Sequence, residues 1–415
     1  THLSPNRLYV NQGDGTFKEQ AKQFGFDYTG PSVLMTFADY DLDGDLDGYL
    51  VTNRKPTPKN KNQDITIDII KGEAYVQEEF REWLNVLLPK RGVNFREPKI
   101  VNGGSFDLFY RNNGDGTFSE VSKEVGIDGN FISLAAIWWD YNDDGLPDLY
   151  VSNDYHGPDR LYHNLGNGRF SEVIKEMIPH TPWFSMGVGC ADINNDGRID
   201  FMATDMSGDG HYKQKMGMGD MDIEGWFLVY PEPRQYMRNA VYLNAGTGRF
   251  QEIAFMTGLD STEWTWSPIF GDFDNDGWVD LFVSNGMTRD FFNSDMKQYL
   301  RTVKTRAERD MHINRTGVKR DVNVAYRNLG DLRFESVGAE WGLDLAAVSL
   351  GAAATDLNGD GHLDLVVNNH EEAPAIYRNH ADNHRIKIRL KAAGGRRDVQ
   401  GVKIDLQTAA GRQVR

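Results

Sequence analysis

Five acidic nonapeptides hold the side chains of this 415-residue chain whose types and spacing could do chemistry. They read DYDLDGDLD from Asp39, DYNDDGLPD from Asp140, DINNDGRID from Asp192, DFDNDGWVD from Asp272 and DLNGDGHLD from Asp356. Asp or Asn fills positions 1, 3 and 5 of each, Gly fills position 6 and Asp fills position 9. Oxygen ligands spaced around a Gly turn suit a hard cation such as Ca²⁺, which takes about six to eight oxygens. The pattern predicts about five Ca²⁺ sites.

An EF-hand is excluded by the residues immediately after each nonapeptide. That loop needs a bidentate Glu at position 12 between two helices, and here position 12 holds Leu50, Val151, Ala203, Val283 or Val367. Position 9 therefore has to supply the closing carboxylate. Position 7 is expected to offer its backbone carbonyl, because its residues share no side-chain chemistry. The predicted metal residues are Asp39, Asp41, Asp43, Asp45, Asp47, Asp140, Asn142, Asp144, Leu146, Asp148, Asp192, Asn194, Asp196, Arg198, Asp200, Asp272, Asp274, Asp276, Trp278, Asp280, Asp356, Asn358, Asp360, His362 and Asp364.

The crowding of carboxylates favours metal loops over the alternative, which is an Asp/Gly turn that binds no ion. Nineteen of the 61 acidic residues lie in the five nonapeptides, where they would repel one another without a cation. The first and fourth loops carry four ligand carboxylates each, and the others carry three plus an Asn, so we expect tighter binding at the first group. Five Ca²⁺ ions would bring the formal net charge from −16 to −6.

A second pattern recurs at a fixed distance from the loops. An apolar run ending in Asn is followed by a Gly turn and a Phe, as in FYRNNGDGTFSE from Phe109. The Asn precedes the first Asp of each loop by 28 residues at Asn11, Asn112, Asn164, Asn244 and Asn328, and a sixth copy ends at Asn379. A Ser or Thr also falls seven residues before each loop, at Ser32, Ser133, Ser185, Thr265 and Ser349. The constant interval identifies one repeated unit.

The repeat predicts an all-β protein. The shortest periods are 52 and 51 residues, and each contains four short β-like runs with hairpin turns of the Asp-Gly and Gly-x-Gly kind. Four strands in about 50 residues, repeated head to tail, are typical of a β-propeller blade. We expect four-stranded blades over residues 1–380, seven of them when the ring is complete, and a small truncated β module over 381–415.

Length variation falls at one equivalent junction after each loop, which predicts insertions at about 54–106, 206–238 and 286–322. In the first, Ile65, Ile67 and Ile69 alternate like a strand. Helical spacing is shown there by Val76, Phe80, Trp83, Leu84 and Leu87, stopped by Pro89, and in the third insertion by Phe292, Met296, Tyr299, Leu300 and Val303. The insertions are either packing decoration or a binding rim.

The D-x-[DN]-x-D-G-x-x-D loops resemble those of the FG-GAP/VCBS repeat, known from the integrin α-subunit head. That resemblance implies a seven-bladed propeller whose Ca²⁺ loops are structural. The tail, NHRIKIRLKAAGG from Asn383 and GVKIDLQTAAGRQVR from Gly401, resembles the start of the ASPIC/UnbV module of the family that includes cartilage acidic protein and secreted bacterial relatives. The resemblance implies an extracellular, cell-surface or outer-membrane-associated protein used in adhesion or matrix binding.

Aromatic residues gather before the loops, at Trp138, Trp139, Trp183, Phe184, Trp264 and Trp266. They are either core packing between blades or an aromatic platform suited to sugars. A rival interpretation is a polysaccharide lyase or hydrolase with its site at the channel mouth, whose only candidate residues are Asp154, His156, Asp159 and Glu263. His180 and His370 lack ligand spacing with a second His and are expected to be packing or surface residues.

Composition narrows the class of protein. The acidic excess argues against a nucleic-acid binder, the longest apolar runs are too short to span a membrane, and the single Cys190 excludes an internal disulfide. The sequence predicts an extracellular Ca²⁺-binding propeller that binds an unidentified protein or polysaccharide, with no assigned catalytic residue.

Overall fold

The computed structural model describes residues 4–55, 65–70, 73–88, 97–218, 230, 232–289, 293–390, 402–408 and 411–414. Two compact units divide the chain. The first comprises Thr1–Glu176, Val229–Arg234 and Ala392–Gly401, and the second comprises Met177–Leu228, Gln235–Lys391 and Val402–Arg415. Within the described ranges, no helix combines the length and apolar character needed to cross a membrane.

Small antiparallel sheets with the strand order of propeller blades make up both units, which confirms the all-β prediction. We number them 1 to 5 along the chain, with blades 1 and 2 in the first unit and blades 3 to 5 in the second. Their strands, in sequence and hydrogen-bonding order, are Ser32–Ala38, Asp47–Thr52, Leu108–Asn112 and Phe118–Glu120 (blade 1); Ser133–Trp139, Asp148–Asn153, Arg160–Asn164 and Phe170–Glu172 (blade 2); Gly187–Ala191, Asp200–Thr204, Ala240–Leu243 and Gln251–Glu252 (blade 3); Glu263–Gly271, Asp280–Asn285, Val324–Asn328 and Phe334–Ser336 (blade 4); and Ser349–Thr355, Asp364–Asn369 and Ala375–Tyr377 (blade 5).

The repeated unit defined in the sequence begins and ends at different strands from the blade seen in the structure. Each metal loop joins strands one and two, and the Asn pattern forms strands three and four of the same sheet. The 28-residue interval therefore runs from the third strand of one blade into the next blade. The four runs per period are confirmed as strands, but the hydrogen-bonded sheet cuts the period elsewhere, because sequence spacing carries no information on which strands pair.

Two-stranded sheets lie outside the five blades. They pair Tyr9–Asn11 with Phe17–Glu19, Ile67–Ile70 with Glu73–Val76, Leu84–Leu87 with Lys99–Asn102, His180–Pro182 with Arg234–Tyr236, Asp321–Val322 with Ala346–Ala347, and Asp405–Thr408 with Gly411–Val414. Blade 4 gains a fifth strand, Met206–Ser207, beside its first strand.

The insertions leave the blades between strands two and three, at the opposite end of the second strand from the metal loop. A strand at Ile67–Ile70 confirms the alternating pattern, and a helix at Ser294–Thr302 confirms the third insertion's helical spacing, although Phe292 is outside the described residues. The helix predicted from Val76 to Leu87 is wrong. That stretch is the end of strand Glu73–Val76, a 3-10 turn at Glu78–Phe80 and strand Leu84–Leu87, with Pro89 outside the described residues.

The apolar spacing misled because two strands around a turn face one small core. Val76 and Val86 are buried in that core with Ala74 and Leu84, and Phe80 and Trp83 pack against it. Spacing of three and four residues across a turn reproduces the periodicity of one helix face.

Short helices recur after the fourth strands, at Ala21–Phe24, Ser122–Val125, Ile174–Met177, Ala254–Thr257 and Gly338–Trp341. Four of them end at a Gly in the left-handed region, Gly25, Gly126, Gly258 and Gly342, as helix C-caps require. The remaining helices belong to insertions: His211–Met218, Ser294–Thr302 and Arg306–Arg315.

The core of each unit lies between successive blades. Between blades 1 and 2, Tyr49, Phe109 and Leu149 are buried with Phe170. Blades 3 and 4 bury Met202, Val241 and Leu281 together, and blades 4 and 5 bury Phe282 with Leu365. Blade faces packed on each other are what hold the loops of neighbouring blades close.

Candidate metal centres

The five nonapeptide loops share one set of hydrogen bonds, which begins at position 1. There, Oδ2 of the Asp accepts from the backbone N–H of the Gly at position 6, at 2.8–3.0 Å in all five loops. The Gly residues have φ between +87° and +96°, a conformation that disfavours any side chain. The Gly at position 6 therefore serves the turn that curls the loop back over its first carboxylate.

Positions 3 and 5 continue the same inward turn. Oδ1 at position 3 accepts from the N–H of position 5 at 2.9–3.4 Å, and Oδ1 at position 5 accepts from the N–H of position 7 at 2.8–3.1 Å. These bonds fix the three side chains from below. In loops 2, 3 and 5 the position 3 residue is Asn, and its Nδ2 donates to Oδ2 of the position 5 Asp at 2.8–3.2 Å.

Position 9 has a structural task of its own. Its Oδ2 accepts from the N–H of position 2 at 3.0–3.4 Å, and its Oδ1 accepts from the N–H of the Asn that ends the third strand, at 2.7–2.9 Å. The Asp at position 9 thus joins the loop to the sheet whether or not it also contacts an ion. Its carboxylate oxygens still have lone pairs for a cation.

Carboxylates converge most closely in the two loops that have Asp at position 3. Ligand oxygens of Asp39, Asp41 and Asp47 lie within 4.8 Å of one another, and so do those of Asp272, Asp274 and Asp276. In the fifth loop, Oδ1 of Asp356 is buried without a hydrogen-bond partner among the described residues. Oxygen-only donor sets with these spacings fit a hard divalent cation.

Burial and like charge act together on these groups. Burial raises the pKa of Asp47 to about 7, of Asp148 to about 8, of Asp200 to about 7 and of Asp280 to about 8. In the first loop the pKa of Asp39 is also raised, by burial and then by the charges of Asp43 and Asp41. Burial and the charges of neighbouring carboxylates therefore both disfavour the ionised form of these groups.

Basic side chains already reach carboxylates in loops 3, 4 and 5, and in loop 4 Arg327 Nε lies 3.0 Å from Asp274 Oδ2. Lys387 Nζ lies 2.9 Å from Asp356 Oδ2, and an Arg378 guanidinium nitrogen lies 3.5 Å from Asp360 Oδ2. The pKa of Asp356 is lowered, first by Lys387, and that of Asp360 is lowered, first by its hydrogen bond from the N–H of His362. In loop 3, Arg198 at position 7 pairs with Asp196 at 2.9 Å. These contacts do not follow from the motif.

The Asn of the repeat joins the loops of neighbouring blades. Asn164 Nδ2 donates to the position 8 carbonyl of its own loop, Pro147, and to the position 2 carbonyl of the preceding loop, Tyr40, at 2.7 Å. Asn328 makes the same pair of bonds to Val279 and Ile193. Asn379 also does so, to Leu363 and Phe273. The repeat identified this Asn in the sequence, but its hydrogen bond to the neighbouring blade depends on how the blades pack.

A second polar layer was missed in the sequence. An Asp or Asn five residues before the repeat Asn accepts from the N–H that ends the second strand, in Asp107, Asp159, Asn239 and Asn323. The repeated Ser or Thr contacts this layer, since Ser133 Oγ lies 2.7 Å from Asp107 Oδ2 of the preceding blade. The D/N-x₄-N spacing in the sequence is the signal that could have revealed it.

The residues named for an enzyme do not share one role. Asp159 belongs to the structural layer and is bound by Tyr150 and Asn153. Burial raises the pKa of Asp154 to about 6 and lowers that of His156 to about 3, so His156 is neutral at physiological pH. Glu263 begins the first strand of blade 4 and is buried beside Lys213.

The aromatic residues before the loops pack in the core. Trp139, Trp183 and Trp264 are buried, as is Phe184. Trp138 lies 6.1 Å from Phe109 and 6.0 Å from Phe170 between ring centroids. Core packing, rather than an exposed platform, is the arrangement that the structure shows for these four residues and Trp138. His180 is likewise a packing residue, paired with Glu252 at 3.1 Å.

Family models match three stretches of the chain. The model described as an FG-GAP-like repeat matches residues 140–203 and 219–283, and that of the FG-GAP repeat matches residues 349–385. The first stretch contains loops 2 and 3, the second contains loop 4 and the third contains loop 5.

The chain is similar in sequence to cartilage acidic protein 1 from three vertebrates. Those of Mus musculus and Homo sapiens are each 24% identical over 257 residues, which are 61% of this chain and 31% and 30% of the two relatives. That of Xenopus tropicalis is 27% identical over 206 residues, 45% of this chain and 28% of the relative. The chain therefore spans about 30% of the length of the curated relatives it matches.

A solved structure concerned with recognition of non-reducing terminal N-acetylglucosamine by an Agrocybe aegerita lectin is 15% identical, with a TM-score of 0.39. The alignment covers 91% of this chain and 75% of that chain, and a score at this level carries no argument. The sheets have the strand order of β-propeller blades, and parts of this chain are similar to the FG-GAP repeat and to cartilage acidic protein 1.

Proposed function

We propose that this chain is an extracellular interaction module whose nonapeptide loops bind Ca²⁺, and whose insertions contact a protein or glycan ligand. The observation that carries the calcium proposal is the convergence of three carboxylates in loops 1 and 4. The residues that would hold the ions are those at positions 1, 3, 5 and 9, with the position 7 carbonyl. That the position 7 backbone carbonyl is a ligand remains a prediction.

The proposed role of the ions is structural. A bound Ca²⁺ supplies positive charge and coordinates oxygens that otherwise repel one another. The loop that it fixes carries the position 2 carbonyl of Tyr40, Ile193 or Phe273, to which the Asn of the next blade donates. Order in one loop would therefore support the contact between two blades.

An extracellular location suits loops of this kind, because Ca²⁺-binding extracellular modules bind at about 10⁻⁴–10⁻³ M. Similarity to the FG-GAP repeats of the integrin head and to cartilage acidic protein 1 supports the same location and an adhesion-type role. The insertions favour a ligand-binding surface, since they differ between blades while the metal loops do not.

Thermal unfolding with and without calcium tests the proposal. The 415-residue chain is melted in 2 mM EGTA and in 2 mM CaCl₂, with MgCl₂ as the matched control ion. At 2 mM free Ca²⁺ and a Kd of about 10⁻⁴–10⁻³ M, each site should add about 0.6–1.8 kcal/mol to the free energy of unfolding. We expect a higher melting temperature in Ca²⁺ than in Mg²⁺ or EGTA. Identical melts in the three buffers would refute the structural role.

A further inference from the structure

A small cavity in the second unit is built by two insertions and the start of blade 4. The 206–238 insertion supplies Met206, Tyr212, Lys213 and Met237, and the 286–322 insertion supplies Lys319. Glu263 and Trp264 close the cavity from the first strand of blade 4, and its volume is about 160 Å³.

Glu263 is the unusual residue of this cavity. Its side chain is buried, with 6% of the residue exposed, and its backbone has φ of +73°, which is uncommon for a residue with a Cβ. Residues held in this conformation concentrate at functional sites. In the other blades the matching position, two residues before the repeated Ser or Thr, holds Gly30, Phe131, Trp183 and Ala347. The propeller repeat itself therefore does not require a Glu there.

The two carboxylate oxygens of Glu263 are used differently. Oε1 accepts from the N–H of Asp209 at 3.0 Å and from Lys213 Nζ. Oε2 is buried and has no hydrogen-bond partner among the described residues, although Lys319 Nζ lies 3.9 Å away. Lys319 Nζ also lies 3.2 Å from Asp321 Oδ2. A buried acceptor that lacks a hydrogen bond is costly, so a ligand that supplies a donor would gain free energy there.

The charges around Oε2 select the kind of donor. An ammonium or guanidinium group would meet Lys213 and Lys319, and an anion would meet Glu263 and Asp321. A hydroxyl group is neutral, donates one hydrogen bond and accepts others. Glu263 Oε2 and Lys319 Nζ lie 3.9 Å apart, so a hydroxyl that reaches both would donate to the first and accept from the second.

Most of the remaining lining is apolar, with Asn293 as a further polar residue. Met206 and Met237 line the wall, and Tyr212 is 75% exposed. Methionine side chains adapt to irregular shapes, and an aromatic ring packs against the C–H face of a flat ring. A small ring with hydroxyl groups on one edge fits this combination.

We propose that this cavity binds a neutral, hydroxyl-bearing ring, namely one sugar residue of a glycan, with Glu263 and Lys319 as the recognition pair. This inference rests on the proposed interaction role and narrows its ligand to a glycan. Strand Met206–Ser207 pairs with Glu263–Gly271, so the insertion that carries Tyr212 and Lys213 is anchored directly to the strand that carries Glu263.

Ligand-observed NMR and calorimetry on the calcium-loaded chain test the inference. The probes are methyl glycosides of neutral hexoses and N-acetylhexosamines, with glucuronate as the anionic probe and lysine methyl ester as the cationic probe. We expect at least one neutral glycoside to bind with Kd in the millimolar range. Glu263→Gln, which removes the charge and keeps the size, should weaken that binding about tenfold or more.

Two further variants keep the test independent of folding. Glu252→Gln is the matched control, because Glu252 is a buried Glu whose carboxylate is paired with His180 and Arg238 outside the cavity. Its glycoside affinity should match that of the unmodified chain. Tyr212→Ala changes an exposed side chain and should weaken binding without lowering the melting temperature.

Three results would overturn the inference: no neutral glycoside binds at about 20 mM, a concentration that reveals even weak sites; glucuronate or lysine methyl ester binds in preference; or Glu263→Gln binds as well as the unmodified chain. Calcium titration of the same samples separates this failure from that of the proposed function. A chain that binds and is stabilised by Ca²⁺ but ignores the glycosides retains the metal role and loses the sugar site.

Discussion

Loops 1 and 5 have the same motif and opposite electrostatics. Loop 1 contains five Asp residues and no basic residue, and its Asp39 and Asp41 have raised pKa values, first because of burial and then because of neighbouring carboxylates. Loop 5 contains three Asp residues, and Lys387 and Arg378 reach two of them. The pKa values of Asp356 and Asp360 are lowered.

The difference teaches that the loop motif specifies which carboxylates are present, but not whether basic side chains compete with a cation for them. In loop 5, Lys387, which lies outside the repeat, forms an ion pair with Asp356, a carboxylate that would otherwise be free to bind a cation. Because affinity follows the charge of the ligand set, we expect loop 1 to be filled at lower Ca²⁺ concentration than loop 5.

The largest expected effect is on calcium affinity, when the carboxylate at position 1 is replaced in loop 1 and, for comparison, in loop 5. Asp39→Asn should weaken the tightest calcium event by about 100-fold, because a charged ligand and its hydrogen bond to Gly44 are both altered. Asp356→Asn should leave the tightest event unchanged. Isothermal titration calorimetry measures both variants, and equal losses would contradict the ranking of the two loops.

The next effect concerns the Asn between the blades that carry loops 1 and 2. Asn164→Ala removes two donated bonds and one accepted from Gly166, and leaves the carbonyls of Tyr40 and Pro147 with fewer partners. We expect a loss of about 2–3 kcal/mol in the free energy of unfolding. Asn113→Ala, at an exposed neighbouring position in blade 1, is the control.

Urea unfolding in excess Ca²⁺ measures both Asn variants. Equal midpoints for Asn164→Ala and Asn113→Ala would show that the bonds between blades add nothing to stability. A larger loss for Asn164→Ala in calcium than in EGTA would show that the metal loop and the blade contact act together.

Removal of the lysine tests the competition in loop 5 directly. Lys387→Met leaves Asp356 without its ion pair at 2.9 Å and should tighten the weakest calcium event about three- to tenfold at low ionic strength. Lys123→Met makes the same change of net charge at an exposed position of helix Ser122–Val125. Calcium titrations at low and high salt should converge, and a similar gain in both variants would indicate a general charge effect.

The last prediction is a dependence of metal-free stability on pH. Burial raises the pKa of Asp47 to about 7 and that of Asp148 to about 8, above the unfolded value of about 3.9. The folded state then holds more protons than the unfolded state, so stability should fall as pH rises from about 4 to about 8. Melting in EGTA across this range measures it, and Asp148→Asn should flatten the slope. A melting temperature that rises with pH would contradict the prediction.

Much of the fold followed from residue spacing. The Asn-to-Asp interval and the hairpin turns predicted the strands, and the bounds of the insertions at about 54–106, 206–238 and 286–322 remain predictions. The helix expected from Val76 to Leu87 failed because local periodicity cannot separate one helix from two strands that share a core. The number of blades and the boundary at residue 380 remain predictions.

The candidate sites were predictable only in part. The five loops are visible in the sequence because each ligand is local, and the hydrogen bonds that shape a loop lie within nine residues or reach its own sheet. The pairing of Lys387 with Asp356 could not be predicted, nor could that of Glu263 with Lys213 and Lys319, because these partners are 31, 50 and 56 residues apart. Nothing in their spacing repeats.

The sequence by itself determined the acidic and amide side chains of the loops, the repeat and the all-β class, since all three depend on short-range patterns that recur along the chain. The assignment of those side chains as metal ligands remains a proposal. Only the tertiary structure decided to which blade each repeat Asn belongs and which loop carboxylates form ion pairs with basic side chains. It also decided that Glu263 Oε2 is a buried acceptor without a hydrogen bond among the described residues. Those properties depend on electrostatic and packing contacts between distant segments, and such contacts exist only once the sheets have packed.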